Sequence, residues 1–140
     1  MRSSLPFLLL SVGIALPGCQ MDSRQQVLAT ANTQVAQRAI STRTFDTQDR
    51  SAVFRGIIAT FQDLGFIVDR ADDVLGTISG TQFANGIVRL TVTVRPISGQ
   101  RVLVRASGQH NLDALTDPVP FQRFFDALSQ ALFLTANQIE

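Results

Sequence analysis

Val88, Leu90, Val92 and Val94 alternate with Arg89, Thr91, Thr93 and Arg95; shortly after, Val102, Val104 and Ala106 alternate with Arg101, Leu103, Arg105 and Ser107. A period of two sends successive side chains to opposite faces of an extended chain, so both segments read as strands with one buried and one wetted face. A sheet that is apolar on one side needs cover on that side only. The rest of the chain must supply it.

Parity constrains how the two strands pair. Setting Val94 opposite Val102 and Val92 opposite Val104 needs an odd loop, whereas a two-residue Ser98-Gly99 turn would oppose Val94 to Leu103. The expected loop is therefore Ile97-Ser98-Gly99, with Gly99 in the left-handed position, and it leaves Arg95 opposite Arg101. Ala84-Asn85-Gly86 makes a similar loop one hairpin earlier and pairs Ile78 with Val92.

Two amphipathic segments provide the cover. Val53, Phe54, Ile57, Ile58, Phe61 and Leu64 recur at three- and four-residue spacing, with Asp46 and Thr47 as expected N-caps and Gly65 as the stop. Phe66 is placed to fold back on the last turn. Asp117-Pro118-Val119-Pro120 suits a helix entrance, and Phe121, Phe124, Phe125, Leu128, Ala131, Leu132 and Thr135 form the main face behind it. Phe133 and Leu134 widen that arc beyond what one sheet face needs.

Ile40 to Phe45 reads as a first strand. Phe66-Ile67-Val68 starts a second, which Val74 to Thr81 continues or replaces after the polar run Asp69 to Asp73. Gly76 and Gly80 share a face with Ile78 and leave it thin, so that a helix backbone can approach. The expected fold is α+β in the order β-α-β-β-β-α: an antiparallel sheet of about four strands with two helices on one face.

The N-terminal segment has a different character. Arg2 is followed by an apolar run from Leu5 to Leu16, roughly a dozen residues against the roughly twenty of a membrane-spanning helix. A small residue, Gly18, then precedes Cys19. This is the grammar of a cleaved secretory signal. From Gln20 to about Ala39 the chain is rich in Gln, Ala, Thr and Asn, with Val27, Leu28 and Val35 as scattered apolar residues, and reads as a flexible tether of about 25 Å reach. A weak helix is the competing reading, but the apolar spacing is too sparse to build a core face. The expected division is residues 1–18 as signal, 19–39 as modified N-terminus and tether, and 40–140 as one domain.

Leu16-Pro17-Gly18-Cys19 resembles the bacterial lipobox, with Pro17 in place of the usual small residue. The resemblance implies that the Cys19 thiol is lipidated, that the chain is cut just before it, and that acyl chains hold the protein at a bilayer surface. Gln20, where Asp would favour retention in the inner membrane, implies the periplasmic face of the outer membrane. The segments Arg43-Thr44-Phe45-Asp46-Thr47, Gln62-Asp63-Leu64-Gly65-Phe66, Val74-Leu75-Gly76 and Phe124 to Ser129 with Leu132-Phe133-Leu134 are similar to a group of small bacterial lipoproteins. That likeness covers roughly residues 40 to 138 and carries fold and location, with no catalytic residue to transfer.

Chemistry-bearing residues are few. Cys19 is the one cysteine of the chain, so no intramolecular disulfide can form. His110 is the one histidine and has no partner at metal-ligand or triad spacing. Asp72-Asp73 is a candidate carboxylate pair, yet neighbours in a strand point apart and acids in a turn are more often simply solvated. No glycine-rich phosphate loop follows a strand. These absences lead us to expect no enzyme, no metal and no cofactor. Twelve basic residues, all arginine, stand against eleven acids, and losing Arg2 with the signal balances them, which disfavours nucleic acid as a partner.

The remaining candidate is a surface. Arg89, Arg95, Arg101 and Arg105 fall on the outward face of the two alternating strands, interleaved with Thr91, Thr93, Leu103 and Ser107. Such a face needs polar residues in any case. Yet Arg95 opposite Arg101 costs stability unless an anion or a partner neutralises the pair. The expected role is binding, as an accessory or scaffold to other envelope proteins. The alternative is a small-molecule or lipid-binding module with a pocket between sheet and helices.

Overall fold

The computed structural model describes residues 23–137, with Cys19 and the signal lying outside them. Six antiparallel strands form the sheet: β1 (Thr42–Phe45), β2 (Ile67–Asp72), β3 (Thr77–Gln82), β4 (Val88–Ile97), β5 (Arg101–His110) and β6 (Asp113–Ala114). They lie in the order β1-β5-β4-β3-β2, with β6 also pairing β5. Three helices accompany them: α1 (Ser23–Ser41), α2 (Arg50–Asp63) and α3 (Pro118–Asn137). The α+β class and the antiparallel sheet are as expected; the strand and helix numbers are larger.

Both additions have a physical reason. β2 runs through the polar stretch that was expected to interrupt a strand, because as an edge strand it is largely exposed and needs no apolar alternation. β6 is two residues long and sits on the end of β5. The segment expected to be a flexible tether is helix α1. Its Ala, Gln and Arg residues are good helix formers, and the helix docks only through its last turns, so it needs no apolar stripe. Val27, Leu28 and Val35 stay exposed, while Ile40 packs on the core and Gln37 donates to the Leu115 carbonyl.

The core lies on one side of the sheet. Ile78, Leu90, Val92, Val94, Val102, Val104 and Ala106 are buried there against Val53, Ile57 and Phe61 of α2 and Phe121, Phe124, Phe125 and Leu128 of α3. Phe61 binds the layers together. Its ring stacks on Phe66 at 5.2 Å and meets Phe124 at 5.7 Å, contacts worth about 0.5–1.5 kcal/mol each beyond the area they bury. Gly80 makes room for that ring: a Cβ added there would stand 2.8 Å from Phe61 Cδ2. The thin face thus admits an aromatic side chain rather than the helix backbone that was expected.

Helix ends agree only in part. Gly65 stops α2 with φ +78°, and Phe66 folds back, its N–H reaching the Phe61 carbonyl at 2.7 Å. The N-cap is Asp49, not Asp46 or Thr47: its carboxylate accepts from the Ala52 N–H at 2.8 Å. Thr47 instead accepts from the Asp49 N–H at 3.1 Å, shaping the turn before the cap. At α3, Asp117 accepts from the Val119 N–H at 2.9 Å, as the entrance sequence led us to expect.

Register differs in one hairpin. Ile78 pairs with Val92 as expected, within a loop widened to residues 83–87. In the β4–β5 hairpin, however, Val94 faces Val104 and Arg95 faces Leu103, a slip of two from the expected pairing. Pro96 and Ile97 continue the strand, and the loop is Ser98-Gly99-Gln100 with Gly99 and Gln100 at φ +80° and +61°. β3 ends before this point. The Val94 N–H bonds to the Gly76 carbonyl, so two residues on the missing N–H of Pro96 falls on the side where β4 has no neighbour, and the proline breaks no ladder bond.

Candidate functional site

The outward face of β1, β5, β4 and β3 carries Thr42, Thr44, Arg101, Leu103, Arg105, Ser107, Arg89, Thr91, Thr93, Arg95, Thr77, Ser79 and Thr81. All four expected arginines are exposed there. No acid shares these positions, and among the described residues none of the four forms an ion pair. Acids of the sheet sit on edge strand β2, where Asp69 accepts from Thr81 of this face at 2.6 Å and Asp72 pairs with Arg70 at 3.3 Å, and on β6, where Asp113 lies opposite His110.

The register slip rearranges the four. Arg95 opposes Leu103, Arg101 opposes Ile97, Arg105 lies between Thr93 and Thr42, and Arg89 opposes Gln109 and Thr81. No two arginines are directly opposed, which corrects the Arg95–Arg101 pair and removes the strain attributed to it. Instead Arg95 is the diagonal neighbour of both Arg101 and Arg105, at about 7–8 Å between Cα atoms, the reach of long side chains. Those three positions surround Leu103 in the register, with the Arg101 guanidinium lying near the hairpin tip at Gly99. Arg89 stands apart, about 20 Å further along β4.

A second concavity lies on the helix side, where the end of α2, the entrance of α3 and the β3–β4 loop converge. It has a volume of about 330 Å³ and an apolar floor of Leu64, Phe66, Val88 and Leu115. Polar groups edge it: Gln82, Asn85, His110, Asp117 and Arg123. Several are held by the fold. Gln82 donates to the Leu64 carbonyl at 2.6 Å, and His110 Nε2 lies 3.1 Å from the Asn85 carbonyl, which can only accept, so this nitrogen donates.

His110 therefore belongs to the end of β5 and one edge of the cleft, beside residues that sequence spacing did not connect with it. Asp72 and Asp73 do not act as a pair. Asp72 accepts from the Leu75 N–H at 3.0 Å, and this bond, with help from Arg70, holds its carboxyl below the ordinary range. Asp73 binds Arg50 through side chain and carbonyl, tying the β2–β3 turn to α2. No cluster of three or more metal-ligating side chains occurs among the described residues.

Sequence reading missed Gln82, Asn85, Asp117 and Arg123 as members of one site. They are spread over residues 82–123 and share no local spacing, so only the folded chain gathers them. Compared with known protein families and with curated proteins, the chain matches none.

Proposed function

We propose that this protein is a lipid-anchored binding protein of the bacterial envelope, held by Cys19 at the periplasmic face of the outer membrane. It acts as an accessory or scaffold by docking an acidic partner protein on the outward sheet face. One observation carries this reading: Arg95, Arg101 and Arg105 are register neighbours on the outward sheet face, and none of them forms an ion pair among the described residues. Guanidiniums favour carboxylates, each of which one of them can grip with two parallel hydrogen bonds. The Thr91 hydroxyl adds a donor on the same surface, whereas those of Thr93 and Ser107 donate to the Arg105 and Thr91 carbonyls.

The test is a pull-down from detergent-solubilised envelope with the anchored protein and with an Arg95→Glu, Arg101→Glu double variant. Both positions are exposed, so folding should change by no more than about 0.5 kcal/mol per site. The partner should be lost with the double variant and should elute from the native protein as ionic strength rises, because exposed charge pairs are screened. A partner retained by the double variant would sink the proposal.

A further inference from the structure

The cleft between α2, α3 and the β3–β4 loop carries charge complementarity of its own, independent of the arginine face. Its volume of about 330 Å³ falls at the low end of ligand pockets, which run from about 300 to 1,000 Å³. An apolar floor with a few convergent polar groups is the usual make-up of such sites. Here the floor is fixed by the fold: Phe66 stacks on Phe61, and Leu115 is held by its N–H to the Gly108 carbonyl at 2.9 Å.

The polar groups narrow the ligand. Arg123 reaches the cleft from the exposed second turn of α3 and has no ion pair among the described residues. A helix entrance often supplies backbone N–H groups to an anion. This one does not: Pro118 and Pro120 have none, and the Val119 N–H is taken by Asp117. The guanidinium is thus the main positive feature, and the Asp117 carboxylate, which lines the same cleft, opposes a second negative charge. A planar monoanion suits Arg123 through two parallel hydrogen bonds, whereas a phosphate dianion would meet Asp117 unfavourably. Asp117 and the Asn85 amide remain to meet a hydroxyl or N–H on the ligand.

We infer that this cleft binds a small amphipathic monocarboxylate, its carboxylate on Arg123 and its apolar body on Leu64, Phe66, Val88 and Leu115. The ligand is a free small acid rather than a long acyl chain, since the volume is too small to enclose the latter. Val119, 52% exposed and lining the cleft, stands where the body enters.

Octanoate, octan-1-ol and octyl phosphate are suitable probes, titrated into the isotopically labelled protein and followed by amide and His110 ring resonances. Octanoate should give saturable shifts confined to the cleft and bind more tightly than the other two. Arg123→Gln should lower octanoate affinity about tenfold or more, the scale of a charge-assisted hydrogen bond, and leave octan-1-ol unchanged. Val119→Asp, exposed and therefore compatible with folding, should weaken octanoate and octan-1-ol together. Absence of saturable shifts, shifts centred on β4 and β5, octyl phosphate binding as well as octanoate, or an Arg123→Gln variant that keeps native octanoate affinity would each overturn the inference. Loss of the protein partner in the Arg95→Glu, Arg101→Glu variant bears on neither result, because that surface lies on the other side of the sheet.

Discussion

The ring of Phe61 lies against the bare backbone of Gly80, so close that an added Cβ would meet Cδ2 at 2.8 Å and the Ile67 carbonyl at 3.0 Å. One contact is with a side chain and the other with backbone, and only the first can move aside. Gly80→Ala should therefore destabilise the protein by about 1–3 kcal/mol. Phe61→Ala should cost about 3–5 kcal/mol by leaving a cavity. In Phe61→Leu the Gly80→Ala change should cost less than in the native background, a coupling that denaturant unfolding of the double-mutant cycle would measure. Additive costs would place the strain at Ile67 instead.

Asp49 and Asp46 make a matched pair of tests for the start of α2. Asp49→Ala removes the bond to the Ala52 N–H and should cost about 0.5–2 kcal/mol. Asp46→Ala removes no side-chain hydrogen bond seen among the described residues and should stay within about 0.5 kcal/mol. Thermal unfolding of the two variants separates them, and equal losses would mean that the helix begins earlier.

Asp72 links stability to acid. The Leu75 N–H, aided by Arg70, lowers its carboxyl below the ordinary 3.8, so the folded state holds this proton less tightly than the unfolded chain does. Its contribution is fully present above pH 3.8 and fades as pH falls through the lowered value. Asp72→Asn should reduce the midpoint of denaturant unfolding at neutral pH and weaken its dependence on pH in the acid range. A native and a variant curve that stay parallel into acid would contradict this.

Cys19→Ser tests the anchor without disturbing the described fold. Membrane fractionation should find the native protein with the outer membrane and the variant lost from that fraction, because the variant lacks the thiol that carries the acyl chains. Metabolic labelling with a fatty acid should mark the native protein alone. Labelling of both would move the modification elsewhere.

Local periodicity explains why so much of the fold was legible. Val88 to Val94 and Val102 to Ala106 placed their faces by alternation, and the stripe through Val53, Ile57 and Phe61 announced a helix before any contact was known. Gly65 marked the stop because a left-handed residue is needed there. The exposure of Phe133 and Leu134 followed from an arc wider than one sheet face could cover.

What the sequence determined by itself is thus the class, the one-sided core and the outward direction of the four arginines, all of which depend on a residue's own position in its element. Tertiary structure alone decided the rest. A slip of two residues keeps every side chain on its face, so alternation could not tell Arg95 opposite Arg101 from Arg95 opposite Leu103; continuation of β4 through Pro96, past the end of β3, decided it. β2 and α1 lack a buried stripe because one is an edge and the other docks by its last turns. The cleft joins Leu64, Gln82, His110 and Arg123 from separate elements, and nothing in a linear spacing records that meeting.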